Sequence, residues 1–372
     1  MNHPIYDETG REPREATDEF RGHGPVIEST TGEWIVLGHA QAVEVASDPE
    51  RFSSKVSRFL QIPNGLDGQE HRQFRALIDH YLGHDRMEAM RPPLEATARE
   101  FVTSLPRDTT LNAVRDIGAT FAVRGMTGWL GWPADLEPEL LAWVRANYEA
   151  TRSGDLARTR AVAEHFDDII MSVITPRRED PSIDDVTAEL VRDTSLGRAL
   201  TDPELVSILR NWTGGDLGSM ALCVGVITHG LIARPELQDR MRDGSDVEVD
   251  AIMYELLRLD NPFVSNRRIT TCPVTLGGRE IAEGARVRIN WTSANRDEKV
   301  FGDGFDPEGH RADNLVFGRG PHYCPGEELS VITLRALFRE LMRGVTSLEL
   351  DGEPERGVAP VGGFVHLPVR LG

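Results

Sequence analysis

The segment Phe-Gly-Arg-Gly-Pro-His-Tyr-Cys-Pro-Gly, residues 317–326, constrains this 372-residue chain more than any other. Gly318, Gly320 and Pro321 force a tight turn, and a helical pattern follows at once. Cys324 is expected where that helix starts. There a thiolate would meet the positive end of the helix dipole and nearby backbone N–H groups. Glycine also lets a flat ligand lie close to the backbone, and His322 and Arg319 could reach carboxylate groups of such a ligand. A lone cysteine in a glycine turn is more often a buried structural thiol, so the meaning of the segment depends on the rest of the chain.

The other cysteines give it no partner. Cys223, Cys272 and Cys324 are odd in number, far apart and form no CxxC pair, which argues against a disulfide framework or a structural zinc site. With 41 basic against 60 acidic side chains the net charge is −19, a field that repels phosphate backbones and anionic bilayers. Nucleic acid and membrane are therefore not expected as partners. The first 20 residues lack the apolar core of a signal peptide. The longest apolar run, 220–233, is broken by Gly225, Thr228, His229 and Gly230 and is too short to span a bilayer. The expected location is a reducing cytoplasm.

Along the chain, residues 25–27 and 34–37 flank a Thr-Thr-Gly-Glu turn and read as a β-hairpin. Residues 86–241 read as helices over 87–105, 112–130, 138–151, 158–173 and 203–233. Thr201, Asp202 and Pro203 mark the start of the last of these. Its middle, 213–219, holds three glycines in five residues, which predicts a local opening or a close approach by a ligand. After a helix ending near Arg258 come short strands at 266–270, 274–276 and 286–290, with Gly277-Gly278 as a turn. An irregular stretch, 297–314, precedes a final helix over 325–343, and 358–371 reads as β-structure. The fold class is mainly α with a small β component, in a single domain spanning 1–372, with about the first 15 residues disordered.

The decapeptide resembles the haem-binding loop of the cytochrome P450 superfamily, FGxGxHxCxG, at every fixed position, and the likeness extends along nearly the whole chain. Tyr254-Glu255-Leu256-Leu257-Arg258 looks like the family's helical ExxR element, which implies a buried Glu255–Arg258 pair holding the stretch before the loop, with Arg311 as third member. The segment 69–75 is similar to the family's HxxxR, which implies that His71 and Arg75 bind haem propionates. Asn266-Arg267-Arg268 resembles the strand whose arginine binds the other propionate, and counting back from Gly277-Gly278 selects Arg268. Through the loop match, Cys324 becomes the ligand of the iron of haem b. Phe317, Gly318, His322 and Gly326 become further residues of the cofactor site.

Three departures from the family pattern matter. The oxygen-activating helix usually reads AGxET or AGxDT. Matching on charge puts Asp216 at the acid and Leu217 at the alcohol, whereas counting back from Arg234-Pro235 puts Gly218 at the acid and Ser219 at the alcohol. Ser219 and Asp216 are therefore the candidate catalytic residues of an altered proton relay. Pro325 follows the thiolate and has no N–H to give it. The stretch between Ser54 and His71 is short, leaving Phe59, Leu60, Ile62 and Pro63 to cover the pocket. That suggests a substrate that is bulky or presented by a carrier protein. Leu217, Phe263, Val264 and Phe364 complete the expected pocket by position.

The expected function is that of a haem-thiolate monooxygenase. It would insert one oxygen atom from dioxygen into a hydrophobic or aromatic small molecule, in natural-product tailoring or catabolism. Electrons would come from a separate ferredoxin or flavodoxin and its reductase. The alternatives are oxidative coupling or peroxide-driven oxidation without the usual relay, and, less favoured, a non-catalytic gas sensor.

Overall fold

The computed structural model describes residues 4–372. Of the N-terminal stretch expected to be disordered, 1–3 lie outside the described residues. Tyr6 is buried against Phe20 and bridges to Ser29. The first helices are α1 (Pro13–Arg21), α2 (His39–Ser47), α3 (Gly68–Tyr81), α4 (His84–Ser104) and α5 (Thr120–Leu130). A π-helical segment, Ala113–Ala119, leads into α5. Then come α6 (Glu137–Ser153), α7 (Leu156–Glu179), α8 (Val186–Arg192), α9 (Asp202–Ala233), α10 (Glu236–Asp243) and α11 (Asp246–Leu259). The short α12 (Trp291–Ala294) and α13 (Glu298–Phe301) precede the last helix, α14 (Glu327–Gly344).

The β component is small. β1 (Val26–Glu28) and β2 (Trp34–Val36) form the expected hairpin. β3 (Phe52–Ser53), β4 (Leu111–Asn112), β5 (Ser265–Thr270), β6 (Val274–Leu276), β7 (Arg279–Ile281) and β8 (Arg286–Asn290) follow. Near the C-terminus lie β9 (Leu348–Leu350), β10 (Glu355–Arg356), β11 (Phe364–His366) and β12 (Pro368–Leu371). The main sheet has the order β1-β2-β8-β5-β3, so hairpin and cavity-side strands share one surface. Gly277 and Gly278, at φ +55° and +77°, make the turn between β6 and β7.

The long helix α9 organises the rest. Its start follows the capping logic: the Glu204 carboxylate accepts the Thr201 N–H at 2.8 Å, and Pro203 sits in the first turn. The adjacent Arg198 and these cap bonds hold the Glu204 carboxyl down at about 2. Thirty-two residues at ~1.5 Å each carry it across the whole molecule. By length and composition it could cross a membrane, but two-thirds of its most apolar window (67 %) is buried inside the protein. The expected opening at 213–219 is absent and the helix runs unbroken. Tertiary packing overrides the weak propensity of its glycines, and two more, Gly225 and Gly230, let neighbours press close. A Cβ at Gly225 would stand 2.6 Å from Val114, and one at Gly230 would stand 2.6 Å from Leu256 of α11.

The facing element makes the same use of glycine. A Cβ on Gly118, in the π-helical segment, would lie 2.9 Å from both the Cα and the carbonyl O of Ala221 on α9. Backbone cannot move aside as a side chain can. Gly118→Ala should therefore destabilise the protein by about 1–3 kcal/mol. Gly128→Ala, at a site open to solvent on α5, should be neutral or slightly stabilising. Denaturant midpoints of the two variants test the contrast; equal midpoints would mean that α9 and the π-helical segment are not tightly held.

Candidate active site

Cys324 is placed by a closed loop. Gly318 and Gly320 adopt φ of +78° and +75°, which other residues rarely tolerate. Gly320 has a second reason to be glycine: a Cβ there would meet the Ala46 carbonyl O at 2.3 Å. The Cys324 N–H donates to the Phe317 carbonyl at 2.9 Å, closing the turn. The helix begins two residues later than expected, with Glu327. The Gly326 N–H donates to the sulfur, while Pro325 has no N–H to offer. Burial pushes the Cys324 thiol up to about 12, outweighing that hydrogen bond. A thiolate here would need a cationic partner to offset the burial.

The loop is braced from behind. Glu255 and Arg258 form a buried two-point ion pair on α11, with contacts of 2.7 and 2.8 Å. Arg258 also donates to the carbonyls of Asn295, at 2.6 Å, and Gly304. The third member is not Arg311. His310 Nδ1 lies 2.8 Å from Glu255, which also accepts the Asp306 N–H. Arg311 instead stacks on Tyr254, 3.3 Å from the ring centre, and reaches Glu327. The guanidinium is more exposed there, whereas the imidazole fits the enclosed space beside Glu255.

Cys324 forms part of the wall of a cavity of about 670 Å³. On one side stand Phe317, Gly318, His322, Pro325 and Gly326 of the loop, with Arg267 and Arg268 of β5. Arg268 is buried and forms no ion pair among the described residues; burial lowers its pKa. Arg267 is exposed and paired with Glu33. His322 is pushed down to about 4, first by burial and then by Arg268, so it is neutral at pH 7. Its Nε2 is 3.0 Å from Ser54 Oγ. His71 lies behind it, ring centres 4.2 Å apart. His71 Nε2 and His322 Nδ1 are buried and unpartnered. Arg75 is turned onto the loop, donating to the Tyr323 carbonyl at 2.6 Å and the Pro321 carbonyl at 3.2 Å.

A flat dianionic macrocycle bearing a metal fits this arrangement. Two orphaned imidazole nitrogens and an unpaired buried guanidinium await acceptors. A cysteine sulfur faces the space, and Gly318 and Gly215 on its wall have nothing within 4 Å of where a Cβ would stand. No motif of the other cysteines competes.

The opposite wall belongs to α9. Trp212, Gly215, Asp216, Ser219, Met220 and Cys223 follow one helical face into the cavity. Both candidate relay residues are therefore present, at i and i+3. Ser219 Oγ donates its proton back to the Gly215 carbonyl at 2.6 Å. Asp216 makes no hydrogen bond or ion pair among the described residues, and its depth in the protein pushes it up to about 7.

Several expected pocket residues are elsewhere. Leu217 is 1 % exposed and packs into the main core, because one step along a helix rotates a side chain ~100° away from its neighbour. Phe59 and Leu60 lie on the outer surface, 62 % and 42 % exposed. Ile62 is fully buried instead, its N–H fixed to Ser207 Oγ at 2.8 Å and its carbonyl to Asn211. Gln61, Pro63 and Asn64 face the cavity in their place. Phe364 is sandwiched by Arg356 and His229, and Pro360 and Val361 line the space instead. Phe263 and Val264 are on the wall. The sequence reading missed Trp129, Trp212 and Trp291; of these, Trp212 was findable, since it precedes Asp216 by one helical turn.

Residues 154–344 match the family model Cytochrome P450, and the chain belongs to the cytochrome P450 family. It is 26 % identical over 370 residues to cyclomarin C epoxidase of Salinispora arenicola, covering 94 % of this chain and 93 % of that one. It is 25 % identical over 400 residues to 2-hydroxy-5-methyl-1-naphthoate 7-hydroxylase of Streptomyces carzinostaticus, covering 98 % and 96 %. Its fold is similar to that of the P450 enzyme CxnD, solved as an enzyme for C–S bond formation in chuangxinmycin biosynthesis. The TM-score is 0.88 at 22 % identity, with 100 % and 98 % of the chains covered. A mutant of P450 EryK in complex with erythromycin B gives 0.86 at 24 % identity, covering 99 % and 97 %. The chain is a P450 monooxygenase, and membership of the family implies a haem-iron cofactor and a small-molecule substrate.

The Asp216 carboxyl makes stability depend on pH. It ionises near 3.8 when the chain is unfolded and at about 7 when folded. The unfolded chain therefore sheds this proton first, and folding loses stability as pH rises from about 4 to about 7, then levels off. A shift of that size corresponds to at most ~4 kcal/mol, and water reaching the cavity screens it to about 1–2 kcal/mol. Asp216→Asn should match the wild type near pH 4 and exceed its stability by that amount at pH 7.5. Thermal unfolding across the range tests this; a difference independent of pH would show that Asp216 titrates as an ordinary surface carboxyl.

Proposed function

We propose that this chain is a haem b monooxygenase. It would insert one oxygen atom from dioxygen into a hydrophobic or aromatic small molecule, in the tailoring of a bacterial natural product. The observation that carries the reading is a single cavity with a cysteine sulfur on one wall, unpaired cationic and imidazole groups at its side, and Asp216 and Ser219 opposite. When held by a thiolate, haem iron supplies the activation of dioxygen and the electron density that favours O–O cleavage. The names of the relatives, an epoxidase and a hydroxylase acting on elaborate molecules, support the setting.

Each residue has a role in this reading. Cys324 is the iron ligand; its sulfur takes one N–H, from Gly326, and Pro325 withholds a second. Arg268, His322 and His71 hold the propionates, while Arg75 fixes the loop carbonyls and can swing toward the same groups. Phe317 and Gly318 pack on the macrocycle. Asp216 stores or releases a proton near neutral pH, and Ser219 presents hydroxyl lone pairs one turn along. Phe263, Val264 and the indoles of Trp129 and Trp212 give the substrate apolar walls. The exposed Phe59 and Leu60 sit in a loop whose Val56 and Gln61 border the cavity, consistent with a bulky or carrier-presented substrate. Electrons come from a separate ferredoxin or flavodoxin with its reductase, and the protein works in the cytoplasm.

One observation favours a second reading, oxidative coupling or a peroxide-driven reaction. Gly218 offers no acid, and the Ser219 proton is committed to a backbone carbonyl. Reduction of the purified protein under carbon monoxide tests what both readings share. A strongly red-shifted Soret band, lost in Cys324→Ala, is the expected result. A band typical of histidine ligation, or a protein without haem, would return Cys324 to a structural role.

A further inference from the structure

Asp216 is the single carboxylate among the residues lining the cavity. It lies on α9 with no hydrogen-bond or ion-pair partner among the described residues, and its titration is displaced by burial alone. The basic groups on the wall, Arg267, Arg268, Arg319 and His322, belong to β5 and the cysteine loop. None of them perturbs Asp216. Arg267 is already paired with Glu33, and Arg319 donates to the Ala312 carbonyl. The other titratable groups on the wall are the thiols Cys223 and Cys324, which bring no positive charge. A carboxylate enclosed in a cavity wall without a counter-ion is costly, and structures normally pair it or let a ligand do so.

Its neighbours are suited to a cation. Trp212 precedes Asp216 by one helical turn on the same face, and Trp129 packs on it with ring centres 5.2 Å apart. Indole faces attract positive charge, most strongly where water is excluded. Phe263, Val264 and Met220 supply apolar wall beyond. Resting on the haem-monooxygenase reading, we propose that the substrate bears a cationic nitrogen that pairs with Asp216 against the Trp212–Trp129 indoles, its apolar body filling the rest of the cavity. This assigns a substrate class, basic amines or quaternary ammonium compounds with a hydrophobic or aromatic portion. It makes Asp216 the residue that orients them, through a charge interaction that grows as the chamber closes to water.

The test uses the haem-loaded protein and two probes of equal shape. Phenethyltrimethylammonium has no nitrogen lone pair and cannot ligate iron, and 3,3-dimethylbutylbenzene is its neutral carbon isostere. Binding is measured by calorimetry or equilibrium dialysis at pH 8, where Asp216 is ionised. The cation should bind the wild type about tenfold or more tightly than the isostere. Asp216→Asn should erase that preference by weakening the cation alone, and Asp216→Glu should keep part of it. A cation that binds no better than the isostere, or an Asn variant that weakens both probes equally or neither, overturns the proposal. The carbon monoxide spectrum of each preparation separates the two levels. An intact thiolate band without cation preference sinks the substrate class alone, while loss of the band in the wild type sinks the underlying reading.

Discussion

The buried pair Glu255–Arg258 is the interaction on which the site depends. Two charges removed from water at 1 % and 2 % exposure are stable only if every lone pair and proton is matched. Here the matching is done by the chain that leads to the cysteine. Glu255 takes the Asp306 N–H and the His310 ring, and Arg258 takes the carbonyls of Asn295 and Gly304. An irregular segment with few hydrogen bonds of its own is thereby given fixed partners. Asn295 continues the chain of constraint, since its Oδ1 accepts the Leu315 N–H at 2.7 Å, two residues before the loop begins. Removing either charge would strand the other in a dry interior and free the whole segment at once.

That dependence explains which parts of the molecule were legible in the sequence. Helices α4, α7, α9, α11 and α14 were readable because their periodicity is local, and the strands flanking Gly277-Gly278 because two positive φ angles demand glycine. The loop at Cys324 was readable because Gly318 and Gly320 are required by backbone conformation, and Gly320 also by contact with α2. What failed was decided by tertiary contact. Nothing in the order His310-Arg311 says which of two cations will face Glu255. The loop 55–62 has the same apolar letters whether they point in or out, and a hydrogen bond from Ile62 to α9 turns Ile62 inward while Phe59 and Leu60 stay outside. Leu217 is a different case. Once Asp216 and Ser219 are placed on one face, helical period alone moves Leu217 off it and brings Trp212 and Cys223 onto it.

The electrostatics of the cavity follow from the same economy of partners. Arg268 and His322 line one side of the cavity with His71 packed behind His322, and no carboxylate lines that side. Asp67, 3.8 Å from His322, is the nearest acid and is occupied by Ser53 and the Ser54 N–H. At Cys324 likewise, burial costs a thiolate more than one backbone N–H returns. A protein folded with these groups unsatisfied gains by binding a ligand that supplies two carboxylates and a cationic centre together. A haem held here would enter the fold's own charge balance as well as supply its chemistry.

On the other side of the cavity that balance is incomplete, and this sets the chain apart from a generic oxygenase of its family. Counting back from Arg234-Pro235 puts Gly218 where the family usually has its acid, and the Ser219 hydroxyl donates to the Gly215 carbonyl. In that register the nearest acid on α9 is Asp216, two residues back, on a helix kept unbroken by close packing against the π-helical segment and α11. A helix held this closely cannot rotate, so a proton leaving Asp216 for another part of the chamber would pass through a water or a group on the substrate itself. The same rigidity makes Asp216 a fixed charge at a defined height in the chamber, which is what orientation of a substrate requires. In this reading an altered relay and a recognition charge on the cavity wall follow from one feature, a carboxylate at Asp216 two residues before Gly218 on α9.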